Sequence, residues 1–286
     1  MDSTYPQQDK QHIKLSYITH FYFNQKDIAT VTHLLREYEK LPADLLDVIE
    51  FVIVDDCSPI VDDCSPIEYD IPAFNLNITW LRITTDIAWN QAGARNLGAT
   101  YAKSDKIILV DVDQSFPEDT LRYMVNSKNP GRKFFKVYRV DDAGKRFRGH
   151  PNMFFMSRAR FMRFFGYDEE FSGHYGAEDV RFSRIQKYHG SSQRYLPKRY
   201  LSYDRKLNRD DSYHSLRRDL SHNTPIDARK VKEINTYGPE AGHSRIFLNF
   251  AWQIKSRQFR PVPARPTRRL WKHLWWFRDL LPFLAH

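Results

Sequence analysis

Cysteine is scarce in this 286-residue chain, and long apolar runs are absent from it. The two cysteines, Cys57 and Cys64, lie in two adjacent copies of one heptapeptide, so their number reflects a duplication and not a disulfide framework. No uninterrupted apolar stretch approaches the about 18 residues that cross a bilayer, and the N-terminus lacks a basic region followed by an apolar one. We therefore expect a cytoplasmic protein that is neither secreted nor membrane-spanning.

The overall charge is positive and unevenly distributed. Charged residues make up 28% of the chain and hydrophobic residues 41%, a balance typical of a globular protein. The net charge is +9, and residues 245–286 contain nine Lys or Arg and one acid, which leaves +1 for residues 1–244. The sequence therefore assigns the basic character to the C-terminal segment.

Short apolar strands alternate with helix-like stretches in the first part of the chain. This βαβ spacing predicts an α/β fold with a mostly parallel, doubly wound sheet flanked by helices. Beyond Pro117 the pattern is less regular. The predicted strands are 13–19, 49–54, 78–82, 106–113 and 134–140, and the predicted helices are 27–40, 90–103, 157–165 and 178–189.

The apolar run that begins at Lys106 ends in Asp111 and Asp113. Residues i and i+2 of an extended chain project from the same side, so these two carboxylates can converge on one cation. Ligands of open α/β sheets bind beyond the carboxyl ends of strands, where Mn²⁺ or Mg²⁺ needs oxygen ligands and room for phosphates. The pair suggests a nucleoside-diphosphate site, and an ordinary polar strand-to-turn transition is the alternative.

The heptapeptide Val-Asp-Asp-Cys-Ser-Pro-Ile occurs twice in succession, at 54–60 and 61–67. We assign Asp56 of the first copy to the strand end, because that copy follows the continuous apolar run, and treat the second copy as an extruded loop. A strand slipped by seven residues would instead place Pro59 inside a central strand, which its missing N–H disfavours.

Several motifs follow one another in a fixed order. They are Thr19, Asp56, Asn90-x-x-x-Ala94-Arg95-Asn96-x-Gly98, Asp111-x-Asp113, and Gly-Tyr-Asp-Glu-Glu-Phe-Ser-Gly-His-Tyr-Gly-Ala-Glu-Asp over 166–179. The set resembles family 2 glycosyltransferases of the GT-A fold across about residues 13–190. The last motif is similar to the acceptor-side segment of galactosyl- and N-acetylgalactosaminyltransferases. The resemblance implies a Rossmann-like GT-A sheet and a UDP-sugar donor.

The resemblance also implies roles for the donor-side residues. Asp113 is the direct metal ligand, while Asp111 binds the metal, often through water, and the ribose of the donor. Thr19 and Asp56 contact the uracil base. Arg95 faces the base or the diphosphate, and a surface arginine on a helix is the alternative reading.

The motif that ends in Glu178-Asp179 supplies the candidate catalytic pair. An acceptor hydroxyl needs a carboxylate to take its proton, and Asp179 is the candidate base with Glu178 beside it. An acidic pair that is simply favoured by the helix dipole is the alternative. Tyr175 and His174 are assigned to acceptor binding, since the tyrosine ring offers a face for sugar stacking.

A histidine is expected to complete the metal shell. By resemblance it follows the Glu-Asp pair by some tens of residues, and His214 is the best placed in this chain. His189 and His222 are weaker candidates. Residues 201–205, where a tighter version of the pattern would place that histidine, contain none.

The segment 245–286 is predicted to be a basic aromatic tail that ends in an amphipathic helix over 268–284. Such a helix suits the surface of an anionic membrane, and packing on the rest of the chain or on a second subunit is the alternative. No nucleic-acid recognition module is found. The apolar face would contain Leu270, Trp271, Leu274, Trp275, Phe277 and Leu281, with Arg268, Arg269 and Lys272 opposite.

The sequence as a whole predicts an inverting, metal-dependent transferase at the inner face of the cytoplasmic membrane. The resemblance implies that it would move a hexose or N-acetylhexosamine from a UDP-sugar to a hydroxyl of a bacterial surface glycan. Residues 1–125 form the nucleotide-sugar half, 126–244 the acceptor half and 245–286 the tail. The alternatives are a non-catalytic sugar- or lipid-binding protein and a sugar nucleotidyltransferase, although the latter usually has a Gly-rich phosphate loop that residues 19–24 lack.

Overall fold

The computed structural model describes residues 12–22, 28–57, 68–149, 152–207 and 218–261. Strands and helices alternate as the sequence predicted. The elements are β1 Leu15–Phe21, α1 Ala29–Glu39, α2 Ala43–Leu46, β2 Ile49–Asp55, β3 Asn77–Ile83, α3 Gln91–Tyr101, β4 Lys106–Asp111, β5 Gln114–Ser115, α4 Glu118–Asn126, β6 Lys133–Lys136, β7 Tyr138–Val140, β8 Arg146–Phe147, β9 Phe154–Ser157, α5 Arg158–Arg163, α6 Glu178–Tyr188, β10 Ser192–Tyr195, β11 Leu201–Asp204, α7 Asn223–Tyr237 and β12 Trp252–Gln258.

Eight of these strands form the main sheet, in the order β10-β6-β9-β4-β1-β2-β3-β12. β9 and β12 run antiparallel to their neighbours, and the other pairs in the sheet are parallel. His20 of β1 lies opposite both Val54 of β2 and Asp111 of β4, so these three strands end at the same edge. The mostly parallel α/β sheet flanked by helices is therefore confirmed.

Alternate residues of the central strands face two separate layers of helices. Tyr17 and Phe51 belong to an apolar cluster that includes α1 and α4, whereas Ile18 and Val52 belong to a second cluster that includes α3 and α5. Each fully buried side chain of this size contributes about 1.5–3 kcal/mol relative to exposure. Gly98 lets α3 approach β1 closely, because a Cβ atom there would lie 2.4 Å from Ile18 Cγ2.

The acceptor half differs most from the prediction. The predicted strand 134–140 is two strands, β6 in the main sheet and β7 in a second sheet with the order β5-β11-β7-β8. The elements β10, β11 and α7 were not predicted, because few apolar residues mark them. Apolar content alone does not show where a chain passes from one sheet to another.

Part of the predicted tail belongs to the main sheet. β12, within 245–286, pairs antiparallel with β3 and forms the edge of the sheet, so residues 252–258 are not a tail. Its mixed sequence, Trp-Gln-Ile-Lys-Ser-Arg-Gln, suits an edge strand with much of its surface in solvent. The predicted amphipathic helix over 268–284 lies outside the described residues. Across the described part of the chain, no helix combines the length and apolarity that a membrane span requires.

Candidate active site

A cleft of about 360 Å³ lies at the carboxyl ends of β1, β2 and β4. Four of the residues singled out from the sequence line it: Asp56, Asp111, Asp113 and Tyr175. The opposite wall comes from the second sheet and from the segment before α6. Further residues that line the cleft are His20, Tyr22, Trp89, Gln91, Arg139, Asn152, Asp204, Arg205 and Arg218.

The two carboxylates of the Asp-x-Asp motif reach the cleft by different routes. Asp111 is the last residue of β4, whereas Asp113 lies in the turn that follows it, so the expected extended strand through 113 is wrong. Arg205 holds this turn: its backbone N–H donates to the Asp113 carbonyl at 2.8 Å and its guanidinium to the Val112 carbonyl at 2.6 Å. The turn, and not strand alternation, therefore sets the position of the second carboxylate.

Arg95 is buried beneath the cleft, with a relative exposure of 1%. Its guanidinium donates to Asp111 Oδ1 at 2.5 Å, to Asp179 Oδ1 at 3.0 Å and to the Tyr167 hydroxyl at 2.6 Å. Burial alone would lower the pKa of Arg95, but the Tyr167 hydroxyl and the two carboxylates raise it above its ordinary value. The alternative of a surface arginine is wrong, and the cation is held between the two predicted acidic motifs.

Glu178 and Asp179 open α6, but they are not equivalent. Besides its bonds from Arg95 and Tyr167, Asp179 accepts from Gln91 at 3.1 Å and is 8% exposed. Glu178 accepts from Gln91 at 3.3 Å, while its buried Oε2 has no hydrogen-bond partner within the described ranges. Burial, and then the neighbouring Asp179 charge, raise the pKa of Glu178 to about 8.

The loop before α6 carries the predicted acceptor residues. Its shape depends on Asn223, a fully buried side chain whose amide donates to the carbonyls of Phe171 at 3.2 Å, His174 at 3.0 Å and Gly176 at 2.7 Å. Tyr175 meets Trp89 edge to face, with ring centroids 5.0 Å apart. His174 does not line the cleft. It is exposed and stacks on His222, because the loop directs Tyr175 inward and its neighbour outward.

Asp56 follows β2 and is 2% exposed. Burial, and then the adjacent Asp55 charge, raise the pKa of Asp56 well above its ordinary value. Asp55 points away and accepts from the Tyr69 hydroxyl at 2.6 Å and from Arg82 at 2.9 Å. The first copy of the heptapeptide thus begins at the strand end, as predicted, and the second copy lies outside the described residues.

The strand that contains Thr19 continues to Phe21, two residues beyond the predicted end. Thr19 is therefore buried, and its hydroxyl has no hydrogen-bond partner among the described residues. The next residue, His20, lines the cleft instead. Burial, and then the nearby Arg95, lower the pKa of His20 to about 4, so its imidazole is neutral at physiological pH.

The acids in the 166–179 segment hold it to the rest of the fold. Asp168 and Glu170 each lie 2.6 Å from the ammonium of Lys230, a side chain that is 1% exposed. Glu169 accepts from Asn96 at 2.8 Å, and Asn96 also bonds the Tyr167 backbone. The Arg95-Asn96 pair of α3 therefore connects the strand ends to the acceptor segment.

Comparison with known protein families identifies the family to which this chain belongs. The sequence pattern of the family described as Glycosyl transferase family 2 matches residues 16–193, more than half of the chain. The chain belongs to glycosyl transferase family 2. It is a glycosyltransferase.

Solved structures agree on the fold. S. aureus TarS 1–349, solved in complex with UDP-GlcNAc, is 16% identical, with 78% of this chain and 67% of that chain covered and a TM-score of 0.53. GalNAc-T7, solved with UDP, GalNAc and Mn²⁺, is 14% identical, with 79% and 49% covered and a TM-score of 0.50. This chain spans about half the length of GalNAc-T7. Both comparisons confirm the GT-A fold, and no curated protein matches the chain.

The structure brings together only some of the residues that the sequence assigned to a metal ion. Asp111 and Asp113 offer the oxygen donors that fit Mg²⁺ or Mn²⁺, ions that keep several waters and bind substrate phosphates. Within the ranges that the structure describes, no group of three or more His, Cys, Asp or Glu side chains is suited to a metal ion. His214 lies outside those ranges, His189 stacks on Phe164, and His222 stacks on His174.

Sequence reasoning missed several residues of the cleft. His20 could have been found from the sequence, because it follows the predicted end of a strand and therefore lies at the same edge of the sheet as Asp111. Arg139 and Asp204 have no local signal, since they meet only where β7 and β11 pair in the second sheet. Asp204 accepts from Gln114 at 2.7 Å and lies 3.6 Å from Arg139.

Proposed function

We propose that this glycosyltransferase is inverting and metal-dependent, and that it moves a hexose or N-acetylhexosamine from a UDP-sugar to a hydroxyl of a surface polysaccharide. One observation carries the proposal. A single buried cation, Arg95, bonds both Asp111 at the end of β4 and Asp179 at the start of α6. The acidic motif assigned to the donor and the one assigned to the acceptor are therefore joined by one cation beneath the cleft.

On the donor side, the proposal gives each group a distinct task. Asp56 accepts a hydrogen bond from the uracil base, near His20, which lines the cleft in place of Thr19. Asp111 and Asp113 would hold Mn²⁺ or Mg²⁺, which would neutralise the charge that develops on the leaving diphosphate. Arg95 acts from below by keeping Asp111 in place. Asn152 supports the second oxygen of that carboxylate at 3.2 Å.

On the acceptor side, the proposed reaction is one direct displacement. The acceptor hydroxyl attacks the anomeric carbon, the bond from that carbon to the diphosphate oxygen breaks, and UDP leaves. Asp179 takes the hydroxyl proton, with Glu178 beside it. A single displacement inverts the anomeric centre. Tyr175 and Trp89 offer two ring faces at a steep angle, which suits stacking of the acceptor sugar.

The setting of the reaction is also a proposal. A surface polysaccharide grows at the inner face of the cytoplasmic membrane, and the basic segment 245–286 would attract anionic lipids, at about 1 kcal/mol for each basic residue near the surface. Four cations and no acid lie in its described part, 245–261. The runner-up reading as a sugar nucleotidyltransferase loses its support, because the chain belongs to a glycosyltransferase family.

A UDP-release assay across donor sugars, with and without Mn²⁺, tests the proposal. We expect UDP release with one class of donor sugar. In Asp113→Ala, added Mn²⁺ should no longer increase UDP release. Asp179→Asn should bind the donor, as measured by calorimetry, but transfer no sugar. Asp70→Asn, an exposed carboxylate outside the cleft, is the matched control. Transfer by Asp179→Asn at the normal rate would overturn the base assignment, and absence of UDP-sugar binding by the native protein would overturn the donor class.

A further inference from the structure

The net charge of +1 on residues 1–244 is the sum of two large opposite charges. Residues 1–125 contain 10 Lys or Arg and 20 Asp or Glu, a net charge of −10. Residues 126–207 contain 19 Lys or Arg and eight Asp or Glu, a net charge of +11, and residues 208–244 are balanced. The basic character is therefore not confined to the C-terminal segment.

The sheet order turns this division of the sequence into a division in space. The four strands β1 to β4 come from residues 1–125 and lie side by side. The three strands β6, β9 and β10 come from residues 126–207 and form the edge beyond β4. The cleft takes Asp56, Asp111 and Asp113 from the acidic side, and Arg139 and Arg205 together with one acid, Asp204, from the basic side. The boundary between the two charges thus runs along the cleft.

Three of the eight acids of the basic side are neutralised by partners that come from elsewhere in the chain. Lys230 pairs with Asp168 and Glu170, and Arg95 pairs with Asp179. These cations lie outside residues 126–207. The surface of this region is therefore more cationic than its composition alone indicates.

Four cations of this region, Arg139, Arg146, Arg148 and Lys198, form what we call the cationic track. Arg139 lines the cleft on β7, and the paired strand β8 carries Arg146. Arg146, Arg148 and Lys198 are exposed and form no ion pair with any residue that the structure describes.

Backbone contacts connect the members of the cationic track. Gly149, next to Arg148, packs so closely that a Cβ atom there would lie 2.4 Å from the Val137 carbonyl and 3.0 Å from Lys136 Cβ. The Leu196 N–H, two residues before Lys198, donates to the Lys136 carbonyl at 3.0 Å. The track therefore continues from the lip of the cleft across the ends of β6 and β10.

Two half-buried aromatic rings lie within the track. Tyr138 of β7 and Tyr195 of β10 have ring centroids 4.8 Å apart. Cations combined with tyrosine rings suit a chain of charged sugars, because the cations bind acidic groups and the rings pack against sugar faces. A bilayer would favour protruding apolar side chains, and the exposed large hydrophobic residues of the described chain lie outside 128–149 and 192–200.

We infer that the acceptor is a polyanionic glycan, with phosphodiester or carboxylate groups, that binds along the cationic track while its terminal hydroxyl enters the cleft. This inference rests on the proposed function, because it names the acceptor class of the same site. Charge complementarity would draw such a chain to the lip of the cleft and orient it there.

A triple charge reversal tests the inference, with Arg146→Glu, Arg148→Glu and Lys198→Glu combined in the full chain. The matched control combines Lys128→Glu, Arg132→Glu and Lys133→Glu, three exposed cations at or before the other end of β6. The probes are fluorescent polygalacturonate, uncharged dextran, a single-stranded oligonucleotide and vesicles of phosphatidylglycerol with phosphatidylcholine. Circular dichroism establishes that both triple variants fold.

We expect native protein to bind polygalacturonate, to ignore dextran and to lose affinity as salt rises. The track variant should bind at least about tenfold more weakly, and the control within about twofold of native. The inference would be overturned if both variants bound polygalacturonate equally more weakly than native protein. It would also be overturned if native protein bound the oligonucleotide more tightly than polygalacturonate, or if the track variant lost only its binding to vesicles. If the track variant fails to fold, hydrogen exchange of the native protein is measured with and without polygalacturonate. The inference then requires that polygalacturonate protects residues 138–148 and that salt removes this protection, and absence of protection overturns it.

The donor assay separates this failure from failure of the proposed function. Slow UDP release from a UDP-sugar by native protein, without any acceptor, reports on the donor site alone. UDP release combined with equal weakening in both triple variants would reject the polyanionic acceptor and leave the glycosyl donor site standing. Absence of both UDP release and UDP-sugar binding would reject the proposed function itself.

Discussion

The donor side and the acceptor side of the cleft are built in different ways. Asp56 and Asp111 stand at the ends of β2 and β4, strands that are paired on both sides and buried along most of their length. The acceptor segment 166–179 contains only a short helical turn and the start of α6. It is held by side chains, chiefly Asn96, Asn223 and Lys230.

This difference determines how each side can fail. On the donor side, backbone pairing and apolar burial are shared among many residues, so few single substitutions should displace a carboxylate. On the acceptor side, a few buried polar groups each hold several partners. Loss of one such group leaves unpaired charges or carbonyls, whose cost is far larger than the net value of the bond.

Arg95→Met should have the largest effect, because it breaks the connection between the two sides. It leaves Asp111 and Asp179 without their common cation, and loss of one partner from a buried ion pair costs about 3–5 kcal/mol. Urea unfolding measures the loss in the free energy of unfolding. In the activity assay, UDP release by the variant should fall to background. Arg36→Met, an exposed residue that pairs with Glu39, is the control and should remain near native.

Lys230→Met should have the second largest effect and lower the free energy of unfolding by about 3 kcal/mol. It removes the ammonium that pairs with Asp168, whereas Glu170 keeps its ion pair with Arg229. Burial would raise the pKa of Asp168, but His243 and Lys230 hold it below its ordinary value, so its stabilisation is present above about pH 4 and lost in acid. In the variant Asp168 keeps His243 and Ser244 but loses the Lys230 charge, so this slope should become shallower. Unfolding curves from pH 3 to 7 check the sign, and an unchanged slope would contradict the assignment.

Glu178→Gln should have a pH-dependent effect. The pKa of Glu178 in the folded protein is about 8, above its unfolded value, so its contribution is fully present at low pH and is lost as pH rises through 8. The glutamine variant lacks this loss and should be more stable by at least about 1 kcal/mol at pH 8.5, with little difference at pH 4. Thermal unfolding at both pH values measures it. Equal stability at pH 8.5 would show that Glu178 ionises normally.

Asn223→Ala should cost about 1–3 kcal/mol, because three carbonyls of the acceptor loop lose their donor. The expected effect on the reaction is a weaker apparent affinity for acceptor with donor binding preserved. Comparison of KM for the acceptor with the Kd for UDP-sugar distinguishes the two. Asn129→Ala, an exposed asparagine, serves as the control.

Arg122→Ala should have the smallest effect. Its ion pair with Asp44 joins α4 to α2 on the donor-side surface, and its pair with Glu118 lies within α4; such exposed pairs contribute about 0–1 kcal/mol. Urea unfolding in low and high salt measures it. A loss above about 2 kcal/mol would contradict the view that the donor side spreads its stability over many residues.

The donor side was predictable from the sequence because its signals are local. The apolar run 49–54 differs by one residue from the observed β2, and the motif positions Asp56, Asp111 and Asp113 all reach the cleft. The apolar residues of such a strand indicate that it is buried, and the carboxylates that follow indicate where it ends at the edge of the sheet. The GT-A resemblance rested on these same motifs.

The acceptor side was less predictable because its stability comes from distant partners. α7 buries Asn223 and Lys230, polar residues that reveal no buried face until Gly176 and Asp168 are placed beside them. The structural use of Arg95 was likewise not visible, because its two carboxylates lie 16 and 84 residues away. Spacing shows which residues share an element, but not which elements meet.

The bond between Asp55 and Tyr69 has a consequence for protein engineering. Tyr69 follows the duplicated heptapeptide and returns to the end of β2, where its hydroxyl contacts the buried Asp55. This bond ties together the described residues on either side of 58–67, so we expect added length between them to cost only about 0.6 kcal/mol for each doubling. The seven repeated residues mark a natural insertion point, at which an affinity tag or fluorophore could be introduced without moving Asp56.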